Sequence, residues 1–299
     1  MLTKFLDPKN DMAFKKIFGS EKNQDILIQF LNDMLEFKAK KPIIEVQFLK
    51  TAQDPEIAAK KTSIVDIICK DNEGNSYIVE MQVAKEKGFT KRAQFYAAKA
   101  YGSQLNAGGK YSSLKEVIFL AIADFIMFPE KINYKSDHVI LDRNSFEHDL
   151  KDFSFTFLEL KKFNKPKEQL LTTIERWCYF FKYAEKISEK DLDLVIGNNL
   201  TIKKAYEELN RFNWCEEELN SYEEVIKKDM DYNAAMEQKY DDGEAKGEAK
   251  GEIKSKKNIA IAMLKEGLEI NIIKKLTGLT IGEIKLLEEF LNQTKLYFT

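Results

Sequence analysis

Two acidic residues inside β-rich runs are the chain's best candidates for chemistry. In TSIVDIICKDNEGNSYIVEMQV, Asp66 lies among Ile64, Val65, Ile67 and Ile68, and Glu80 follows Tyr77, Ile78 and Val79. A buried carboxylate needs a partner, because desolvating an unpaired charge is strongly unfavourable. Neither run contains a Lys or Arg that could serve. A hairpin turning at Asn72 to Gly74 would bring the two acids together, where a shared oxygen-seeking divalent cation would satisfy both. This reading puts Asp66 in mid-strand. Strand alternation places Glu80 and Gln82 on one face and Met81 on the other. The spacing alone is weak: a similar Glu-x-Gln triplet recurs at Glu45 to Gln47, although that copy lacks an upstream strand aspartate.

The elements that must position these residues follow from periodicity and breakers. Asn10 or Asp11 can cap a first helix that carries Phe14, Ile17, Phe18, Ile26, Leu27, Phe30 and Met34 on an apolar face, with Gly19 as its divider. Three short strand-like runs come next: IIEVQFL, TSIVDIIC and NSYIVEMQV. KRAQFYAAKAYGSQLNAGG reads as a helix ending at Gly108-Gly109, and EVIFLAIA as a buried strand. HVILD and FSFTFLEL add two more strands. The result is an α/β core over residues 1–165, followed by a mostly helical half.

Residues 166–236 read as a helical subdomain with Trp177, Phe180 and Phe181 as a core stripe. Residues 237–257 carry the repeat GEAKGEAKGEIK. In a helix this would stack glycines and like charges at four-residue spacing, so linker and partner-stabilised helix both stand. Residues 258–299 form a small helical hairpin with Leu268, Ile272, Ile273, Leu276, Leu279, Ile284 and Leu287 at core spacing. That spacing suits helix-turn-helix DNA binding and is equally what any small helical hairpin needs; a homo-oligomer joined through the C-terminal helices is a separate reading. IGEIKLLEEF offers a phosphate backbone one lysine and three glutamates.

Composition narrows the class. With 47 basic and 49 acidic residues the net charge is −2, which excludes a globally basic nucleic-acid binder but not a local basic cleft. Val117 to Phe128 is the longest apolar stretch and contains Asp124, too short for a membrane span of ~20 residues. The first residues are charged throughout, with no apolar signal core, so cytoplasm is the default location. The 3 cysteines and 2 histidines lack the spacing of a zinc site or a disulfide framework.

DPKNDMAFKKIFG at Asp7 to Gly19, SIVDIICKDNEGNSYIVEMQV at Ser63 to Val83, FTKRAQFYAAKAYGSQLNAGGKY at Phe89 to Tyr111, and FTFLELKKF together resemble the PD-(D/E)XK nuclease family transposases, the recombination-promoting nucleases. The likeness covers nearly the full length. It implies a restriction-endonuclease-like mixed-sheet core flanked by helices, and a magnesium-dependent DNA endonuclease linked to recombination or mobile elements, with manganese as a substitute cation. On this resemblance Asp66 and Glu80 are the metal-binding acids, helped by the carbonyl of Met81, and Gln82 stands where the wider superfamily has lysine. Glutamine can only orient water or phosphate through hydrogen bonds. The resemblance also points to Asp11 and Lys15 on the first helix, and to Arg92, Gln94 and Tyr96 on the helix after the hairpin. Lys15 reads equally as a solvated helix lysine, and Tyr96 as core. Asp124 is read as a capping or solvent-facing residue. The alternative to an endonuclease is a catalytically weak or inactive DNA-binding or assembly protein on the same fold.

Overall fold

Val117–Ala123 is apolar at all seven positions and buried at all seven, the signature of a strand covered on both faces. In the computed structural model, which describes residues 3–35, 42–49, 65–105 and 108–296, this strand lies inside a mixed sheet. The strands are β1 (Val46–Phe48), β2 (Ile67–Asp71), β3 (Ser76–Gln82), β4 (Val117–Ala123), β5 (Lys135–Val139) and β6 (Phe153–Glu159), and their order across the sheet is β1-β2-β3-β4-β6-β5. Pairing is antiparallel from β1 to β3, parallel from β3 through β4 to β6, and antiparallel at β5.

Helices cover the sheet. Helix α1 (Asp11–Phe18) and α2 (Gln24–Met34) precede it, α3 (Phe89–Gly102) follows β3, and α4 (Thr173–Tyr183), α5 (Glu189–Ile196) and α6 (Leu200–Leu209) follow β6. Alternation along the strands divides the apolar residues between two cores. Ile67, Cys69, Tyr77, Val79, Ile118, Leu120 and Ile122 pack with α1, α2, α4 and α6, whereas Ile68, Ile78, Val117, Phe119 and Ala121 pack with Phe89, Ala93 and Ala97 of α3. Phe18 is central to the first core, with ring contacts to Phe14, Phe30, Trp177, Phe180 and Phe181. The helices after Pro166 thus complete the core that the first two helices begin.

Asn10 caps α1, its side chain accepting from Met12 N at 2.9 Å, and Gly19 ends the helix. Gly19 also permits a close approach: a Cβ there would lie 2.9 Å from the Lys15 carbonyl oxygen and 3.4 Å from Ile67. The end of α1 is thereby set against the start of β2. At the other end of β2 the chain turns through Gly74 at φ 87°, with the Asp71 carboxylate accepting from the backbone N–H groups of Glu73 and Asn75.

Three sequence expectations need correction. Asp66 does not lie in mid-strand: β2 begins at Ile67, and residues 62–64 of the expected strand fall outside the described residues. Helix α3 ends at Gly102, well before Gly108. Ile272 and Leu276, placed on the core side of the C-terminal hairpin, are exposed, because Ile273 and Thr277 occupy the inward positions.

Two compact units divide the chain, Met1–Ile226 and Lys227–Thr299. Helix α7 (Glu216–Lys265) includes the glycine-spaced repeat, so residues 237–257 are helical. Ala, Glu and Lys favour helix strongly enough to offset three glycines at ~1 kcal/mol each, and Glu252 pairs with Lys256 one turn on. In the second unit Ala260, Ile273, Leu279 and Ile284 form a small core between the end of α7, α8 (Ile270–Thr277) and α9 (Ile281–Leu296). Among the described residues no helix is long and apolar enough to cross a membrane.

Phe18 is fully buried, whereas Leu200 is 79% exposed. Phe18→Ala is expected to cost about 3–5 kcal/mol in urea unfolding followed by tryptophan fluorescence, and Leu200→Ala no more than about 0.5 kcal/mol. Equal effects would contradict the shared core.

Candidate active site

The β2–β3 ladder pairs Ile67 with Val79, and continuing its register by one residue sets Asp66 opposite Glu80. Here strand pairing gives way to side chains. The backbone N–H of Asp66 donates to Glu80 Oε2 at 3.1 Å, and the N–H of Met81 donates to Asp66 Oδ2 at 2.8 Å. Each carboxylate therefore takes up a backbone donor from the other's strand. The second oxygen of each faces a cation: Asp66 Oδ1 lies 3.9 Å from Lys15 Nζ, and Glu80 Oε1 lies 3.9 Å from Arg92 Nη2.

Lys15 is steered by Asp11, one turn earlier on α1, at 2.7 Å. Arg92 comes from α3, whose N-terminal Gly88 has φ 88°. Its guanidinium lies 5.0 Å from the Phe89 ring and is shared among Gln82, Glu86 and Glu80. Gln82 accepts from Arg92 through Oε1 and donates through Nε2 to the Ala84 carbonyl at 2.9 Å. Its amide thus orients the arginine. Tyr96, half-buried on α3, is close enough for Glu80 and Asp66 to raise its pKa, after the larger contribution of burial. Gln94 is not brought to the acidic pair: it is exposed, donates to the Thr90 carbonyl at 3.1 Å, and borders a different cavity. Asp124 is neither a cap nor fully solvated, since it pairs with Lys161 at 3.6 Å with a side chain only 17% exposed.

Burial pushes both acids well above the usual carboxylate range. Glu80 is raised further by the negative charge of Asp66, while Asp66 is raised by Asp11 and relieved by the Met81 N–H. Lys15 and Arg92 offset part of this from beyond hydrogen-bonding distance. The pair is undercompensated in a way that a dication would relieve. Two hard carboxylates suit magnesium, which commonly takes one or two protein carboxylates and completes its shell with water or phosphate. Among the described residues no group of three acidic, cysteine or histidine side chains converges as a metal site, so the fit rests on this pair.

Sequence reasoning missed Glu86 and Phe89, which hold Arg92 between them. Their proximity in sequence to Arg92 was the available signal, but the left-handed turn at Gly88 that aims the helix start is a backbone property.

The chain belongs to the PD-(D/E)XK nuclease family transposases, whose family profile matches residues 8–239. The profile of the C-terminal HTH domain of the Rpn/YhgA-like nuclease family matches residues 254–289, the mostly helical C-terminal region. No curated protein and no solved structure matches the chain.

A carboxylate with a raised folded-state pKa favours folding at low pH and loses that contribution as pH rises from the ordinary range near 4 through its folded value. Glutamine carries no such penalty. Glu80→Gln is therefore expected to raise the melting temperature of the cation-free protein by about 2–4 °C at about pH 8.5, with little change at about pH 4.5. A lower melting temperature at the higher pH would contradict the electrostatic account.

Proposed function

We propose that the chain binds DNA and hydrolyses its phosphodiester bonds slowly, with a divalent cation, in recombination or mobile-element movement. The observation that carries this reading is the facing Asp66–Glu80 pair flanked by Lys15 and Arg92. Asp66 and Glu80, with the Met81 carbonyl, would hold magnesium or manganese. When bound there, such a cation supplies Lewis acidity and makes water easier to deprotonate.

In hydrolysis a water oxygen bonds to phosphorus as the bond to the 3′ oxygen breaks; one proton leaves the water and one returns to the 3′ oxygen. Lys15 and Arg92 would neutralise charge on the phosphate oxygens, Arg92 through its planar fork. Gln82 supplies neither a proton nor a positive charge at the position where the superfamily has lysine. Lys15, approaching from α1, is the cation best placed to substitute for it, and an indirect substitute fits slow chemistry.

A second reading, a DNA-binding or assembly protein that does not cut, is favoured by the two-carboxylate centre, which offers fewer ligands than a three-acid cluster among the described residues. Nicking of supercoiled plasmid separates the two. The proposal expects magnesium- or manganese-dependent nicking that falls about 10²-fold or more in Asp66→Ala and Glu80→Ala, and about 10-fold or more in Lys15→Ala with DNA affinity nearly kept. DNA binding without any cation-dependent nicking would establish the second reading.

A further inference from the structure

Helix α3 has two working flanks. Arg92 leaves one toward the acidic pair, while Thr90 and Gln94, each two residues away and so on the opposite side of the helix, border a cavity of about 250 Å³. Phe128, His138, Phe155 and Phe157 line the rest, together with two aliphatic residues of the β5 end. The helix that separates the two sites is only ~10 Å across.

The wall of this cavity is aromatic and held in place. Phe128 and the His138 ring lie 5.1 Å apart and tilted at 36°, and Phe157 packs edge-on to both at 5.4 and 5.3 Å. The backbone of Phe128 is pinned on both sides: its N–H donates to the buried Glu159 at 3.0 Å, and its carbonyl accepts from Lys162 at 2.7 Å. Glu159 also takes the Met127 N–H and pairs with Lys162, so an ion pair with its carboxylate fully buried fixes this loop. The acidic-pair chemistry makes no use of that network.

The polar groups have a matching arrangement. Gln94 and Thr90 supply the lining with a carboxamide and a hydroxyl, groups suited to the donor and acceptor edge of a heterocycle once Gln94 Nε2 exchanges its bond to the Thr90 carbonyl. Lys131 lies beside two of the lining rings, 5.1 Å from the Phe128 ring and 3.3 Å from His138 Nε2. Burial and the Lys131 charge lower the His138 pKa, which keeps the ring neutral for stacking at neutral pH. The nearby Asp137 carboxylate is occupied by Lys135 and Thr156, each at 2.7 Å. An aromatic wall, an amide in its lining and an ammonium beside it match the parts of a nucleotide: base face, base edge and phosphate. A purely aliphatic ligand would leave the amide and the ammonium without a role.

We propose that this cavity receives an unstacked nucleobase of the DNA strand engaged at the Asp66–Glu80 centre, so that α3 holds the strand by a phosphate on one flank and a base on the other. The assignment rests on the DNA reading above. It adds a base-binding site and a residue, Gln94, that reads the base edge.

The test uses the full chain in EDTA, so that binding is measured without cutting. The probe is a single-stranded oligonucleotide with one 2-aminopurine, whose fluorescence falls when it stacks, beside the same oligonucleotide with an abasic site at that position. Wild-type protein is expected to quench the probe and to bind the abasic strand about tenfold more weakly. Gln94→Ala and His138→Ala, checked for unchanged thermal melts, are expected to lose most of the quenching and about five- to tenfold in affinity for the intact strand, with no further loss for the abasic one. Equal wild-type affinity for both strands, or variants that quench as wild type does, would overturn the proposal. Displacement of the probe by deoxyadenosine monophosphate as effectively as by unlabelled strand would overturn the strand assignment in favour of a free nucleotide. Plasmid nicking with manganese, run in parallel, separates this proposal from the hydrolysis reading. Nicking without any base effect removes the pocket alone, and a base effect without nicking keeps the pocket and removes hydrolysis.

Discussion

The structure of the site depends on a reciprocal exchange at the end of one β-ladder. Asp66 accepts the N–H of Met81, and Glu80 accepts the N–H of Asp66, so each carboxylate takes up a backbone donor where the ladder ends. This exchange has two consequences. It holds both acids in a fixed orientation against each other, and it keeps each in largely buried surroundings where the negative form is disfavoured. An enzyme site commonly stores unfavourable electrostatics of this kind, and the surrounding fold must sustain it. Here the two cores on either side of the sheet do so: α1 is pressed against the start of β2 at Gly19, and α3 is seated on β4 from the other face.

Much of this was legible in the residues. Asn10 as a cap, the turn at Asn72 to Gly74, the buried run Val117–Ala123 and the shared face of Glu80 and Gln82 are all set by local rules of capping, turn chemistry and alternation, and the structure has each of them. Apolar neighbours on both sides of Asp66 predict a mid-strand position. The strand in fact begins one residue later, and the aspartate's side chain does the pairing. The repeat at Gly243, Gly247 and Gly251 left linker and helix open, since glycine cost and Ala/Glu/Lys propensity oppose each other there and pattern alone does not weigh them.

What the sequence hid is long-range. Lys15 reaches Asp66 from 51 positions away because two layers of packing bring α1 to the sheet end. Glu159 and Lys162 look like ordinary surface charges in FTFLELKKF, yet they fix the loop at Met127 and Phe128 from inside the protein. Such networks join segments with no shared periodicity. The Arg92–Gln82 contact is similar: nothing in the pattern of β3 joins Gln82 to an arginine ten positions on, and in three dimensions it becomes the group that aims that arginine.

The central claim is that the Asp66–Glu80 pair is built for a divalent cation despite having only two carboxylates. Anomalous diffraction from crystals grown with manganese tests it most directly. The account predicts a single strong peak within coordination distance of both Asp66 and Glu80, absent in Glu80→Gln crystals. Well-ordered density for both side chains with no peak between them, at a manganese concentration well above that of the protein, would contradict it.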